Sequence, residues 1–287
     1  MKHLINPTID CVFKAILGAT ENTRLLIHFL NGILSPPIPI TDVTITNPYN
    51  EKKFLTDKLT IVDIKAKDAL GTVYQIEVQL STPGYLRNRM AYTWSDIYQQ
   101  QLSSGQLYPA LKPVISIWLL TENVFTDSEA FHHHFQLFDQ LNQQLLTDHC
   151  SIHVLELKKW QQPADVGIKL AAADEWLYFF KEAEHWDKLP GNLNSPEMRK
   201  AMEILEQFSE REEAYHLYQA RQNFIREQKT VAKELEDAKV RADAEAARAD
   251  DAKVRADAEA ARADKAEEEK EKLVELLRKA GIDPEAS

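Results

Sequence analysis

The chain has 287 residues, which is enough for one well-buried domain with an appendage or for two small domains. No apolar run approaches the roughly 20 residues that span a bilayer, and the amino-terminal sequence MKHLINPTID lacks the apolar core of a signal peptide. We therefore expect a cytoplasmic protein without membrane contact. The glycines form neither a GxGxxG nor a GxxxxGK pattern, which excludes the Rossmann and P-loop classes of nucleotide-binding protein.

The net charge of −11 is concentrated in the second half of the chain. Residues 1–125 carry 11 basic and 10 acidic side chains, whereas the remainder carries 23 basic and 35 acidic ones. Affinity for nucleic acids depends on Lys and Arg side chains that neutralise phosphates. The acidity of the chain therefore argues against nucleic-acid binding only for its second half.

The first predicted elements are two helices and a strand. Apolar residues recur at helical spacing over 10–34, with a break near Gly18, and this pattern predicts a helix pair. The prolines of SPPIP at 35–39 end the second helix, because proline donates no backbone hydrogen bond and disfavours helix before it. The segment DVTIT at 42–46 is typical of a strand.

A hairpin is predicted next. Apolar and polar residues alternate with period two over 59–67 and again over 74–80, which indicates two strands. The segment between them contains Asp68-Ala69-Leu70-Gly71, with the length and the glycine of a hairpin turn. The two strands are therefore predicted to be antiparallel neighbours.

The remaining elements of the predicted sheet follow a helix. Residues 85–103 show helical periodicity. The continuous apolar run at 114–120 predicts a strand in the middle of the sheet, covered on both faces. Further strands are predicted at 135–138 and 151–157, and residues 170–220 are predicted to be helical.

The end of the chain has a different composition. From about residue 221 it consists mainly of Ala, Glu, Asp, Lys and Arg, and the sequence of 237–250 is repeated without change at 251–264. A repeat of 14 residues equals two heptads. Its seams are mostly alanine, which buries little apolar area, whereas Asp and Arg pairs at i,i+4 support a single helix. We predict a long charged helix that is either solvated or forms a weak homo-oligomer.

The hairpin carries side chains that suit a metal-dependent nuclease. Such enzymes aim two or more carboxylates at one point, where a magnesium ion activates water and neutralises charge on the phosphate. Asp63 and Glu77 lie opposite the apolar side of their two strands, and Gln79 lies two residues beyond Glu77 on the same face. The three side chains can therefore converge.

Around these residues the sequence resembles the PD-(D/E)XK nucleases. IVDIKAKD followed by IEVQ resembles the D…ExK signature of that family, in the ExQ form of its transposase-like and recombination-promoting nuclease branch. Further segments resemble that branch in the same order: TIDCVFKAILG, LIHFLNGIL, RNRMAYTWSDIYQQQLSSGQLY, PVISIWLL and SIHVLELKKW. The resemblance covers about residues 5–160 and continues weakly to 225.

The resemblance implies an α/β fold. Its core would be restriction-endonuclease-like, a central mixed sheet flanked by helices, followed by a helical region and the long charged C-terminal helix. The expected domains are residues 1–160 for the nuclease-like core, 161–224 for the helical region and 225–287 for the long helix or weak coiled coil.

The resemblance also implies Mg²⁺-dependent hydrolysis of DNA phosphodiester bonds, with Mn²⁺ as the alternative ion. Asp63 and Glu77 would bind the metal, with the backbone carbonyl of Val78 as a further ligand. Gln79 would act in catalysis at the position usually held by lysine, although an amide carries no positive charge. Three residues are candidates for the missing charge: Lys58, Lys65 and Arg89.

Other interpretations stand beside this one. Polar residues on one face of a hairpin are commonly its solvated face, and a catalytically inactive binding or scaffold protein with the same fold would act through its tail. Arg87 and Arg89 either contact phosphate or belong to a solvated helix face with one Arg–Asp ion pair. His132–His134 are interpreted as surface residues, Asp10 as a helix N-cap, and Glu51 has no assigned role.

Overall fold

A mixed sheet of six strands forms the centre of the protein. The structure, a computed structural model, describes residues 2–46, 63–163 and 170–280. The chain divides into two compact units, Met1–Gln222 and Asn223–Ser287. Among the described residues, no helix combines the length and the apolar character that crossing a membrane requires.

The helices and strands agree in order with the sequence prediction. The helices are α1 (Asp10–Leu17), α2 (Thr23–Leu34), α3 (Leu86–Gln99), α4 (Ala172–Glu182), α5 (Pro196–Glu210) and α6 (Glu212–Lys279). The strands are β1 (Val43–Thr46), β2 (Ile64–Asp68), β3 (Val73–Gln79), β4 (Val114–Leu120), β5 (His132–Phe135), β6 (Phe138–Asp139), β7 (Gln144–Leu145) and β8 (Cys150–Glu156).

The strands cross the sheet in the order β1, β2, β3, β4, β8, β5. β1, β2 and β3 are antiparallel neighbours, β3, β4 and β8 are parallel, and β5 closes the edge antiparallel to β8. The predicted hairpin is confirmed where the structure describes it, with Ile64 opposite Ile76, and residues 59–62 of the predicted first strand lie outside the described residues. Gly71 in its turn has φ of 90°, a conformation that residues with a Cβ rarely adopt.

The central position predicted for the apolar run at 114–120 is also confirmed. β4 lies between β3 and β8, and Ile117 and Trp118 are fully buried on its two opposite faces. α3 packs over Trp118 through Leu86 and Met90. On the other face the end of α1 lies so close that a Cβ added at Gly18 would be 3.1 Å from the side chain of Ile64.

The strand predicted at 135–138 is wrong in position. β5 covers His132–Phe135, where it pairs with β8, and Phe138–Asp139 instead forms a separate two-stranded sheet with Gln144–Leu145. The apolar side chains that suggested a strand of the main sheet, Leu137 and Phe138 among them, are exposed. The position of this strand is therefore determined by its pairing with β8 and not by the apolar character of its side chains.

The long charged helix is present, but it begins earlier than the composition indicates. α6 starts at Glu212, and its first turns belong to the first unit, where the Tyr218 hydroxyl accepts a hydrogen bond from the Asn6 N–H at 3.0 Å. In the second unit the described side chains of α6 are almost all exposed. Self-association through this helix, like the three-domain division of the chain, stays a prediction.

Replacing Ile117 with alanine should destabilise the protein strongly. Ile117 is fully buried in the middle strand, so that the truncation leaves a cavity and lowers the free energy of unfolding by about 2–5 kcal/mol. Urea denaturation measures this loss. Leu141→Ala is the control because Leu141 is 94% exposed, and a change beyond about 0.5 kcal/mol there, or none at Ile117, would contradict the assignment of the core.

Candidate active site

Asp63 and Glu77 meet at one point of the sheet. The antiparallel register pairs Ile64 with Ile76, and continuing it by one residue, just before β2 begins, sets Asp63 against Glu77. Directly opposed residues of an antiparallel pair project to the same face. The convergence predicted from the strand periodicity is therefore present in the structure.

Each of the two carboxylates is held by the backbone of the other strand. The Asp63 N–H donates a hydrogen bond to Glu77 Oε2 at 3.1 Å, and the Val78 N–H donates one to Asp63 Oδ2 at 2.9 Å. This reciprocal arrangement fixes both side chains without using the second oxygen of either carboxylate. The free oxygens, Asp63 Oδ1 and Glu77 Oε1, remain for cationic partners.

Two cationic side chains contact those oxygens. Lys14 Nζ, from α1, lies 3.2 Å from Asp63 Oδ1. Arg89 Nη2, from α3, lies 2.6 Å from Glu77 Oε1. The carboxylate pair is thus bracketed by one positive charge from the helix on each side of the sheet. Lys14 was not predicted as a site residue, and the helical pattern carried no signal for it, because Lys14 lies outside the buried stripe of α1.

The surroundings of Glu77 differ from a solvated strand face. Glu77 is only 4% exposed and Gln75, on the same face of β3, is fully buried. Trp118 lies beside Glu77 in the register of β3 and β4, and the Arg89 guanidinium lies 5.5 Å from the centre of the Trp118 ring. The solvated-face interpretation is therefore wrong for Glu77, because α3 covers this face of the sheet.

Burial raises the pKa of both carboxyl groups. The pKa of Glu77 rises from its ordinary 4.5 to about 7, first through burial and second through the negative charge of Asp63, while Arg89 opposes the rise. Burial also raises the pKa of Asp63, against the lowering effect of the Val78 N–H and of Lys14. The two acids therefore repel each other at neutral pH despite their cationic neighbours.

Gln79 joins the same cluster. Its Oε1 accepts a hydrogen bond from Arg89 Nη1 at 3.2 Å, while Nη2 of the same guanidinium binds Glu77. Arg89, one of the three candidates for the missing positive charge, therefore contacts Gln79. Lys65 lies on β2 opposite Gln75, and Lys58 lies outside the described residues, as does Glu51.

Asp10 has a different role from the predicted one. The N-cap interpretation is wrong, because α1 begins at Asp10 itself and the preceding Ile9 makes no side-chain capping bond. The Asp10 carboxylate instead accepts a hydrogen bond from Arg221 Nε at 2.7 Å, within the first unit. Its negative charge contributes to raising the pKa of Asp63, so the two carboxylates lie near each other.

Arg87 lies on the other flank of α3 from Arg89. Its Nη2 donates to the Val124 carbonyl at 2.6 Å, and its guanidinium lies 4.5 Å from the centre of the Phe125 ring. Arg87 therefore contacts the loop after β4, whereas Arg89 forms its ion pair with Glu77. The two arginines were interpreted alike from the sequence, but their different positions around the helix give them different contacts.

Two of the three consecutive histidines, His132 and His134, belong to a hydrogen-bonded network, so the stretch is not simply a surface feature. His132 Nε2 lies 2.9 Å from His153 Nδ1, and His134 Nε2 lies 2.8 Å from Ser151 Oγ, whereas His133 points to the opposite face, towards Glu156. Only His134 is exposed. Across the described ranges, no group of three or more His, Cys, Asp or Glu side chains is arranged to hold a metal ion.

A divalent cation nevertheless fits the carboxylate pair. All side-chain donors there are oxygens, and Mg²⁺ commonly binds proteins through one or two carboxylates while it keeps several waters. The proximity of Asp63 raises the pKa of Glu77, and a shared cation would remove that repulsion. The Val78 N–H is already used to hold Asp63, and the Val78 carbonyl stays a predicted ligand.

Glu77→Gln should stabilise the metal-free protein at neutral pH. Because the folded protein raises the pKa of Glu77, ionising this side chain costs stability. The cost is absent below pH 4.5, grows as the pH rises and is complete above about 7, where it reaches roughly 3 kcal/mol. In a chelating buffer the melting temperature of the variant should exceed that of the wild type at about pH 8 and approach it at about pH 5; parallel curves would contradict the pKa shift.

Comparison with known proteins identifies a family that matches the chain. The sequence pattern of the PD-(D/E)XK nuclease family transposases matches residues 7–235, a range that includes Lys14, Asp63, Glu77, Gln79 and Arg89. No curated protein and no solved structure matches the chain. With a match over most of its length, the chain belongs to the family of PD-(D/E)XK nuclease family transposases.

Proposed function

We propose that the chain hydrolyses phosphodiester bonds of DNA with a divalent metal ion, Mg²⁺ in the first place and Mn²⁺ as the alternative. Nucleases of this kind are generally dependent on divalent metals, and family membership points to DNA as the substrate. The observation that carries the proposal is the pair of carboxylates formed by the half-buried Asp63 and the buried Glu77, held together by reciprocal backbone hydrogen bonds. Buried acids that repel each other lower stability, and such groups concentrate at functional sites.

The residues of the site would have separate roles in the reaction. Asp63 Oδ1 and Glu77 Oε1 would hold the ion, with the Val78 carbonyl as a further ligand. A bound cation would supply the positive charge that neutralises the phosphate and would acidify a neighbouring water. The backbone N–H groups of Asp63 and Val78 keep both carboxylates in place before the substrate arrives, which reduces the reorganisation needed for the reaction.

Arg89 would supply the positive charge that Gln79 lacks. A single guanidinium contacts both Glu77 and Gln79, so its charge lies where the family pattern usually has a lysine. The amide of Gln79 can orient a water molecule, since it has both donor and acceptor groups. Together the two side chains would provide an orienting group and a fixed charge for the anion that develops on the phosphate.

Removing either carboxylate should abolish cleavage. Purified protein is incubated with supercoiled and linear DNA in Mg²⁺, and Asp63→Asn and Glu77→Gln should each lower the rate by at least about 100-fold, because one ligand for the ion is lost. Glu129→Gln is the matched control, since Glu129 is exposed and distant in the chain. Equal cleavage by the wild type and both variants would remove these residues from the mechanism.

Titration calorimetry with Mg²⁺ or Mn²⁺ separates binding from catalysis. A heat of metal binding that is present in the wild type and in Glu129→Gln but absent in Asp63→Asn supports metal binding at the carboxylate pair. Heat that is identical in all three proteins contradicts it.

The role of Arg89 has its own test. Arg89→Gln should lower the cleavage rate by about 10²–10³-fold, as expected for loss of one group that stabilises a developing anion. Arg87→Gln removes the same kind of charge from the other flank of α3 and should change the rate only slightly. If both variants cleave alike, Arg89 does not supply the missing charge.

No observation on the described part of the chain favours the alternative of an inactive binding or scaffold protein that acts through its tail. Gln79 in the place of lysine suggested this alternative, but Arg89 provides a cation at the same point. We therefore propose the nuclease function and not the scaffold alternative.

A further inference from the structure

Two exposed tyrosines lie on the flank of α3 that carries Arg89. Tyr85 precedes Arg89 by four residues and Tyr92 follows it by three, so all three lie on one side of the helix. Tyr85 is 65% exposed and Tyr92 is 50% exposed. The adjoining stripe of α3, with Leu86, Met90 and Ile97 among its members, is buried against the sheet.

This flank is continuous with the candidate active site. Arg89 contacts Glu77 and Gln79 directly, and side chains three or four residues apart on a helix have their Cβ atoms about 5–6 Å apart. The rings of Tyr85 and Tyr92 therefore begin about one helical turn to either side of the arginine that reaches the carboxylate pair. A substrate that reaches the carboxylate pair from the partly exposed side of Asp63 and Arg89 would pass beside them.

Neither ring has a partner among the described residues that would explain its position. No aromatic ring stacks on Tyr85 or Tyr92, and neither hydroxyl forms a hydrogen bond within the described ranges. Tyr98, at the end of the same helix, is different. Its ring stacks on Trp94 at 5.2 Å and its hydroxyl lies 3.0 Å from His149 Nδ1. Tyr98 supports the fold, whereas the fold makes no comparable use of the other two.

We propose that Tyr85 and Tyr92 form a stacking platform for unpaired bases, and that the preferred substrate is DNA with an unpaired strand at the cleavage point. This proposal rests on the proposed nuclease function. Aromatic side chains bind single strands by stacking on exposed base faces, which a paired duplex keeps in its interior. The two rings would stack on the bases of a single strand, and the positive charge of Arg89 between them would attract its phosphates.

Binding of labelled oligonucleotides tests the platform without relying on cleavage. Fluorescence anisotropy in Ca²⁺ is measured for a single strand of about 20 nucleotides, for its perfect duplex and for a duplex with a central unpaired bubble. We expect the wild type to bind the single strand and the bubble more tightly than the duplex. Tyr85→Ala and Tyr92→Ala should each weaken single-strand binding by about 5- to 150-fold, the range of one lost base–aromatic stack.

Substitution by phenylalanine separates stacking from hydrogen bonding. Tyr85→Phe and Tyr92→Phe keep the ring and lose only the hydroxyl, so they should bind single strands within about twofold of the wild type. Loss of binding in the Phe variants as large as in the Ala variants would overturn the proposal, because it would assign the tyrosines to hydroxyl–phosphate contacts, which a duplex also offers. Thermal melting shows that each variant is folded.

Tyr108→Ala provides the matched control. Tyr108 is 82% exposed, but it lies in the turn that leads to the amino end of β4, where Val114 pairs with Val73, whereas Glu77 lies nearer the carboxyl end of β3. This variant should bind single strands like the wild type. Equal weakening at all three tyrosines would show nonspecific contact and would overturn the platform.

Failure of this proposal can be told apart from failure of the nuclease function. A protein that cleaves duplex DNA through Asp63 and Glu77, with unchanged rate and binding in the Tyr85 and Tyr92 Ala variants, keeps the nuclease function and overturns the platform. A protein that cleaves no DNA but binds single strands through the two rings keeps the platform as a binding site and overturns the nuclease function.

Discussion

The site depends on one unfavourable contact, between the half-buried carboxylate of Asp63 and the buried carboxylate of Glu77. Asp63 and Glu77 would repel each other if nothing else were present, and burial makes both harder to ionise. The fold offsets this cost with backbone N–H groups from the facing strands and with Lys14 and Arg89 at the outer oxygens. The surrounding layers are arranged so that these four partners arrive at the same point.

That arrangement explains why helices cover both faces of the sheet. α1 brings Lys14 to Asp63, and α3 brings Arg89 to Glu77. Because β3 and β4 lie in the middle of the sheet, Glu77 is enclosed by Trp118 and α3 and does not face solvent. The low local dielectric strengthens each charge–charge contact and also makes any unpaired charge expensive. The apolar core around β4 supplies the stability that permits such a site.

α3 has three distinct surfaces with separate uses. One stripe is buried against the sheet, one flank carries Arg89 between two exposed tyrosines, and the other flank carries Arg87 against the loop after β4. Five residues within two turns therefore have three uses: Leu86 and Met90 belong to the core, Arg89 carries the charge of the site, and Tyr85 and Tyr92 form an open aromatic surface. A helix achieves this because successive side chains are rotated by about 100°.

Local patterns in the sequence were sufficient to predict the hairpin, the central strand and the acid pair. The alternation of apolar and polar residues predicted that Asp63 and Glu77 lie on one face, and the glycine-containing turn predicted that their strands are neighbours. The apolar run at 114–120 predicted the central strand. Tertiary structure alone determined four other features. These are the ion pair of Lys14 with Asp63, the different contacts of Arg87 and Arg89, the hydrogen bond from Arg221 to Asp10, and the position of β5. The reason is physical: periodicity reports which face a side chain occupies, whereas ion pairs and edge-strand pairing depend on distances between segments that the sequence keeps far apart.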